Sequence, residues 1–213
     1  MIKVLNLYAC LGGNRLLWQN CDVTAVEIDE ELAQLYQERF ENDIVIVADA
    51  HNYLLNNYDK YDFIWSSPPC PSHSRARFAR KNTTTAIYPD LKLYEEIIFL
   101  QNYFNGKFCV ENVIPYYDPL IPAQKRGRHL YWTNFRLPNN INERKHSIME
   151  SKDEVKKWCE FHKYDFNKYK GKQTIQKIAR NLVDYEAGNT IFNIAMNIIN
   201  EPKSIQKSIF QNI

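Results

Sequence analysis

Residues 62–74 of the 213-residue chain read DFIWSSPPCPSHS, and this stretch decides the fold. The apolar run Asp62–Ser66 has the length and composition of a buried β-strand. Cys70 follows closely, in a backbone that Pro69 and Pro71 stiffen on both sides. Ligands and reactive side chains gather at the carboxyl ends of parallel strands, so the stretch predicts a nucleophilic thiol at such an end.

Strand and helix patterns alternate outward from this stretch. Asp29 predicts the start of one helix, because aspartate is a favoured helix cap. Apolar residues that recur with a period of 3.6 predict another helix between residues 191 and 199. The alternation predicts an α/β fold with a doubly wound, mostly parallel sheet. The other strands are predicted at Lys3–Tyr8, Val23–Ile28, Ile44–Val47, Phe108–Asn112 and Leu130–Thr133, with a further helix over residues 90–104.

Composition excludes several classes of protein. A hydrophobic fraction of 45% is that of a folded globule, and no apolar run approaches the roughly 20 residues that cross a bilayer. The chain enters a strand at once, so we expect no export signal. Its five cysteines are scattered without a Cys-x-x-Cys pair, which argues against disulfides and zinc and fits a reducing cytoplasm. The net charge is only +2, yet residues 75–81 hold four basic residues and no acid.

Acidic residues at two strand ends indicate a nucleoside ligand. Glu27, after the second strand, can accept hydrogen bonds from ribose hydroxyls, and Asp49, after the third, from an adenine amine. Ile28 can cover a purine face. The turn at Leu11-Gly12-Gly13 lacks the full Gly-x-Gly-x-x-Gly pattern, so a ligand without phosphates, such as S-adenosylmethionine, suits it better than a dinucleotide.

At this point the chain resembles the DNA cytosine-5 methyltransferase family. The likeness runs in order from Asn6 to Arg128, with an echo at residues 180–183 and 188–191. The matching segments are residues 6–13 (NLYACLGG) for the first cofactor motif, Glu27 and Asp49 for the ribose and adenine acids, residues 69–74 (PCPSHS) for Pro-Cys-x-x-x-Ser, residues 111–113 for Glu-Asn-Val and residues 124–128 (QKRGR) for Gln-x-Arg-x-Arg.

The resemblance implies a Rossmann-like class I methyltransferase with a small inserted target-recognition segment. It implies S-adenosylmethionine as methyl donor, S-adenosylhomocysteine as product, double-stranded DNA as partner and no metal. The implied cofactor residues are Tyr8, Ala9, Gly12, Gly13, Glu27, Ile28, Asp49, Ala50, Pro68 and Asn189. The implied DNA-binding residues, on a loop that closes over phosphates, are Ser74, Arg75, Arg77, Arg80 and Lys81, with His73 beside them.

The resemblance also implies a mechanism. The Cys70 thiolate adds to C6 of a flipped cytosine, and protonated Glu111 donates to N3. Arg128 holds the base at O2, with Arg126 close by. The C5 carbon thereby becomes nucleophilic enough to accept a methyl group.

Two departures from the family pattern carry expectations of their own. Cys10 stands where glycine is usual, and a residue with a β-carbon enters positive φ at a cost, which puts cofactor affinity in doubt. The target-recognition region is reduced to residues 136–172 at most, between a core at 1–135 and a closing segment at 173–213. We therefore expect a short or relaxed recognition sequence, or help from a second subunit, as a homodimer or with an accessory chain.

Three alternatives stay open at this stage. The same chemistry is compatible with a tRNA substrate. Residues 67–70 (SPPC) resemble the Ser/Asn/Asp-Pro-Pro-aromatic motif of amino methyltransferases, although cysteine cannot stack on a base. A degenerate family member that binds DNA without turnover is the third alternative, because of Cys10.

Overall fold

A single mixed sheet organises the chain, in a computed structural model that describes residues 1–143, 148 and 152–198. The strands are β1 Ile2–Leu7, β2 Cys21–Glu27, β3 Ile44–Val47, β4 Phe63–Ser66, β5 Lys107–Val113, β6 Gln124–Arg126 and β7 His129–Thr133. Their order is β3-β2-β1-β4-β5-β7-β6, with β1 to β5 parallel and β7 antiparallel to β5 and β6. The predicted α/β fold is confirmed.

Helices connect the parallel strands and close the chain. The described α-helices are α1 Glu30–Arg39, α2 Ala50–Asn57, α3 Arg75–Ala79, α4 Lys92–Tyr103, α5 Glu154–His162, α6 Ile175–Asn181 and α7 Tyr185–Ala195. Asp29 caps α1 as predicted, accepting hydrogen bonds from the amides of Glu31 and Leu32. None of these helices is long and apolar enough to cross a membrane.

Both faces of the sheet are covered, as expected of buried parallel strands. Side chains alternate along β1, so that Leu5 and Leu7 pack with α2 and α4 on one face and Val4 packs with α7 on the other. Burying a side chain of this size contributes roughly 1.5–3 kcal/mol.

The strand order reverses beside β1. The chain runs from β1 outward through β2 to β3, then returns to place β4 on the other side of β1. Residues that follow β1 and β4 therefore border the crevice at this reversal, which is the usual ligand site of an open α/β sheet.

Predictions near the carboxyl end were less accurate. The last helix, α7, begins at Tyr185 and ends at Ala195, earlier than its apolar repeat suggested, and Ile199 lies outside the described residues. Strand β6 and helices α5 and α6 were not predicted at all. Strand β6 is short and polar, so it has no apolar pattern to indicate it.

The aromatic residues between 152 and 172 form a cluster with the core. Trp158, Phe166 and Tyr169 are buried and pack with Leu11, Leu32, Leu35, Ile178 and Leu182. The Tyr169 hydroxyl also donates to Asp29 at 3.1 Å. These rings therefore contribute to packing beside α1 rather than to an exposed surface.

Candidate active site

Two adjoining clefts open where the strand order reverses. The larger encloses about 310 Å³ and reaches Cys70 and Glu111, and the smaller encloses about 150 Å³ and reaches Asp49 and Ala50. Their shared walls are formed by Tyr8, Glu27, Ile28, Pro68 and Pro69.

Glu27 lies at the junction of the clefts and is held rigidly. Its Oε1 accepts from the amides of Ile28 at 2.9 Å and Asp29 at 3.0 Å, and its Oε2 accepts from the amide of Cys10 at 2.8 Å. Burial raises the pKa of Glu27, although these three amides oppose the shift. A carboxylate can accept about four hydrogen bonds, so Oε2 keeps capacity for one more donor.

The turn after β1 uses left-handed backbone three times. Tyr8, Cys10 and Gly12 have φ values of 55°, 47° and 66°. Only Gly12 does this without strain; a non-glycine residue in this region costs on the order of 1 kcal/mol or more. Gly12 packs against α1, where a Cβ would lie 2.5 Å from the Phe40 ring, and it is not among the described residues that line the clefts.

The rest of the turn does reach the larger cleft. Tyr8, Ala9, Cys10 and Gly13 all line it. A Cβ on Gly13 would lie 2.4 Å from the carbonyl oxygen of Val183, so this glycine permits close contact with the closing segment. Burial raises the pKa of the Cys10 thiol, which keeps it protonated.

The smaller cleft contains the residues expected around adenine. Asp49 caps α2 through Oδ1, which accepts from the amide of Asn52 at 2.9 Å. Ile28 is 67% exposed and lines both clefts. Ala50 and Pro68 complete this wall.

Cys70 is half-buried in the larger cleft, four residues beyond β4. Its carbonyl oxygen accepts from the amides of His73 and Ser74 in a tight turn. Burial, and next the Glu111 carboxylate, raise the pKa of the Cys70 thiol, while the charges of Lys177 and Arg128 act in the opposite direction.

Glu111 lies on β5, next to the strand that leads to Cys70. Its side chain is buried, and Oε1 lies 3.7 Å from Nε2 of His129 on β7. The other ring nitrogen of His129 lies 3.2 Å from Oε1 of Glu143. His129 therefore bridges two carboxyl groups, a role that sequence reasoning missed because the histidine belongs to a neighbouring strand.

The Glu-Asn-Val segment also fixes the proline turn. Asn112 is buried, and its Nδ2 donates to the carbonyl oxygen of Pro68 at 2.9 Å. One short segment of β5 thus supplies the buried acid and holds the backbone that carries Cys70.

The two candidate arginines lie differently. Arg126 turns away from the clefts: its guanidinium donates to the carbonyl oxygens of Leu137, at 2.7 Å, and Pro138. Arg128 is exposed, and neither arginine is among the described residues that line the clefts. The charge of Arg128 nonetheless acts to lower the pKa of the Cys70 thiol.

The basic loop is tied to residues 115–117. Arg75 Nε donates to the carbonyl oxygen of Pro115 at 2.9 Å, and the Phe78 ring stacks on Tyr116 with centroids 4.7 Å apart. His73 is buried and its Nδ1 lies 2.5 Å from the Tyr117 hydroxyl. His73 also lines the smaller cleft, and its contact with phosphates stays a prediction.

The other loop residues lie on short helix α3 or just after it. Ser74 caps α3, and Arg77 donates to the carbonyl oxygen of Thr85 at 2.6 Å. Arg80 and Lys81 are exposed, and Lys81 Nζ lies 5.1 Å from the centre of the Phe78 ring. Exposed cations therefore lie shortly after Cys70 in the chain.

Helix α6 forms the far wall of the larger cleft. Lys177, Arg180 and Asn181 line it, and none of the three was predicted to do so. Arg180 is held by Glu154 of α5, with guanidinium-to-carboxylate distances of 2.6 and 2.7 Å. Asn189, on α7, is not among the described lining residues.

The sheet order, the crevice at its reversal and the paired clefts define a Rossmann-like methyltransferase fold. The profile of C-5 cytosine-specific DNA methylases matches residues 2–115, which is more than half of the 213 residues. The protein therefore belongs to the C-5 cytosine-specific DNA methylase family. No curated protein is significantly similar to it in sequence.

Solved methyltransferase structures are similar to about half of this chain. A mutant of DNMT2 from Spodoptera frugiperda is 22% identical, with 53% of this chain and 36% of that chain covered and a TM-score of 0.39. EhMeth from Entamoeba histolytica is 15% identical, with 53% and 38% covered and a TM-score of 0.36. A TehB-like SAM-dependent methyltransferase from Corynebacterium glutamicum is 16% identical, with 53% and 55% covered and a TM-score of 0.35. The chain thus spans little more than a third of the first two proteins.

Proposed function

We propose that this protein methylates C5 of cytosine in double-stranded DNA through a covalent bond between Cys70 and C6. The observation that supports this most strongly is the shared cleft. A half-exposed thiol and a buried carboxyl group, from neighbouring strands, line the cavity that Glu27 also borders.

The paired clefts fit S-adenosylmethionine. Glu27 would accept from the ribose, Asp49 from the adenine amine, and Ile28 and Pro68 would cover the purine. When bound, the cofactor would supply an electrophilic methyl group on a sulfonium.

Cys70 would begin the reaction on the base. Its thiolate forms a bond to C6, and the electron pair of the C5–C6 double bond moves toward N3. C5 then has the character of an enamine carbon and is nucleophilic. After C5 carries the methyl group, loss of its proton to a base re-forms the double bond and expels the thiolate.

Glu111 would stabilise the charge that develops on the ring. In its protonated form it donates to N3, in a buried site where such hydrogen bonds are strong. His129, which also lines the larger cleft, would hold the carboxyl group in place. Arg128 would contact O2 after the exposed turn between β6 and β7 closes over the base. Arg126 would act by anchoring residues 137–138 beside that turn.

DNA binding would use the cations beyond Cys70. Arg77, Arg80 and Lys81 can contact phosphates, with Ser74 and Arg75 holding the start of the loop. The target base has to leave the duplex to reach the cleft. We take residues 136–172 as a reduced target-recognition segment between the core at 1–135 and the closing segment at 173–213, so few side chains remain to read bases.

One experiment tests the substrate and the nucleophile together. Labelled S-adenosylmethionine is incubated with duplex DNA and with tRNA, using the native protein, Cys70→Ala and the control Cys159→Ala, a half-buried cysteine on α5. We expect label in DNA that is lost only with Cys70→Ala. Label that persists without Cys70 would indicate amino methylation, label confined to tRNA would change the substrate, and no label would indicate a binding protein.

A covalent trap tests the mechanism. In DNA with 5-fluorocytosine, C5 carries fluorine, which cannot leave as a cation, so the Cys70–C6 bond should persist. We expect a denaturation-resistant protein–DNA band with the native protein and Cys159→Ala but not with Cys70→Ala. Its absence with the native protein, when ordinary DNA is methylated, would refute the covalent step.

A further inference from the structure

Glu96 is a buried acid that the proposed mechanism does not use. It lies on α4 and is 1% exposed. Three side chains contact its carboxylate: the Tyr8 hydroxyl donates to Oε1 at 2.5 Å, the Ser66 hydroxyl donates to Oε2 at 2.6 Å, and Nδ1 of His51 lies 3.1 Å from Oε1. Burial of a carboxylate is costly unless it is compensated in this way.

These partners come from the strands that border the crevice. Ser66 is the last residue of β4, and Tyr8 follows the last residue of β1. Glu96 thus connects the two strand ends between which a ligand would enter.

Tyr8 is the partner with the most direct access to a ligand. It is half-buried, it lines both clefts, and its backbone has a φ of 55°. A residue held in this region needs surrounding interactions to fix it. The hydroxyl bond to Glu96 anchors the far end of the ring, so the ring cannot swing into either cleft.

We propose that Glu96 is a positioning residue for the adenosine end of the cofactor, and that it acts through Tyr8. The inference rests on the proposed function, since it requires an adenosyl ligand in these clefts. Glu96 itself is not among the described residues that line either cleft, which is why its effect has to pass through the tyrosine ring.

The neighbouring glutamate provides a matched control. Glu95 also contacts His51, with Oε2 at 3.3 Å from Nε2, but its side chain is 61% exposed. Glu95→Gln therefore alters the same histidine without touching Tyr8. The test compares Glu96→Gln, Tyr8→Phe, the double variant and Glu95→Gln.

The measurement is the Kd of S-adenosylhomocysteine by titration calorimetry, with thermal melting and kcat on the same samples. We expect Glu96→Gln and Tyr8→Phe each to weaken binding about tenfold, as expected for loss of one charge-assisted hydrogen bond. The double variant should be little weaker than either single variant, and Glu95→Gln should stay within about twofold. The kcat measured at saturating S-adenosylmethionine should change far less than the KM for S-adenosylmethionine.

The outcomes separate the two proposals. If the native protein binds neither S-adenosylhomocysteine nor S-adenosylmethionine, the proposed function fails. If the native protein binds and Glu96→Gln has an unchanged Kd, or if the effects of Glu96→Gln and Tyr8→Phe simply add, the inference about Glu96 fails. A purely structural role would lower melting temperature and the fraction of active protein while leaving Kd and the ratio of KM to kcat unchanged.

Discussion

The two ends of the candidate site are built differently. At the ends of β1 to β3, which we term the cofactor half, polar groups are tied to the protein: Glu27 accepts three amides, and Tyr8 is bound to Glu96. At the ends of β4, β5 and β7, the target half, Cys70 is half-exposed and Arg128 is exposed.

The difference indicates how each half would reach its working geometry. The cofactor half is preorganised, so binding a ligand costs little free energy for ordering these side chains. The target half leaves its cationic groups near solvent, so the substrate itself has to complete it. Substitutions in the cofactor half should therefore affect stability and binding, and substitutions in the target half should affect rate.

After the loss of activity expected for Cys70→Ala, the largest effect is expected at Glu111. Glu111→Gln removes the proton donor to N3, and we expect the rate to fall roughly 10²- to 10⁴-fold, the usual range for losing a general acid. Single-turnover methylation with saturating donor measures it. Glu143→Gln, on the other side of His129, should lose far less, and an equal loss in both would assign the effect to His129 instead.

Substitution of Glu27 should lower both the stability of the protein and the binding of the methyl donor in the cofactor half. Glu27→Ala leaves three amides without their acceptor, and we expect the free energy of unfolding to fall by about 2–4 kcal/mol, with donor binding lost. Urea unfolding measures the first effect and calorimetry the second. Asp49→Ala removes only a partly exposed helix cap and should cost about 1 kcal/mol. Equal losses in the two variants would contradict the preorganised arrangement of Glu27.

The pH dependence of the rate tests the target half. Burial and Glu111 raise the pKa of the Cys70 thiol above its ordinary value of about 8.5, so the thiolate is the minor form at neutral pH. The rate at which iodoacetamide alkylates Cys70, which depends on the thiolate alone, should then rise nearly tenfold per pH unit from about pH 7 to 8.5, up to the point where this pKa is passed. A profile that is flat over this interval would contradict it.

Substitution of Lys177 should shift that pH profile. Its charge lowers the pKa of Cys70, so Lys177→Gln should move the rising limb to higher pH and reduce the rate a few-fold at pH 7. Lys172→Gln, which lies outside the cleft lining, is the control. An unchanged profile in Lys177→Gln would exclude an electrostatic role for α6.

The smallest effect is expected at Cys10. Because its φ is 47°, Cys10→Gly should relieve strain and raise the free energy of unfolding by about 0.5–1 kcal/mol, measured by urea unfolding. Asn20→Gly, at an exposed position with a φ of 56°, should change stability less, since asparagine tolerates this region. A loss of stability in Cys10→Gly would show that packing of the thiol outweighs the strain.

Residues at strand ends were predictable from the sequence. A parallel sheet brings the residues after its strands to one edge, so Glu27, Asp49, Cys70 and Glu111 could be expected near each other without knowledge of any side-chain contact. The turn after β1 was equally apparent from Gly12 and Gly13.

Partners contributed from distant elements were not predictable. Glu96 reads as an ordinary position on the amphipathic helix α4, yet it is buried beneath Tyr8. His129 reaches Glu111 only because β7 pairs with β5, a pairing that the sequence does not specify. No local pattern signals such contacts, because they depend on which strands become neighbours.

Charge patterns specify less. The contact of the basic loop with phosphates stays a prediction, and within that loop Arg75 binds a backbone carbonyl group and His73 is buried. Arg126, which matches a family motif, holds residues 137–138. A run of positive residues indicates the sign of a surface and not which of its members reach a ligand.

The far wall of the larger cleft comes from residues 173–183, whereas its floor comes from the first strand of the chain. During synthesis, Cys70, Glu27 and Glu111 emerge from the ribosome long before α6 does. The pocket therefore closes only after residues 173–183 have been made, and a fragment that stops at residue 172 would carry every proposed reacting group while lacking one side of their enclosure.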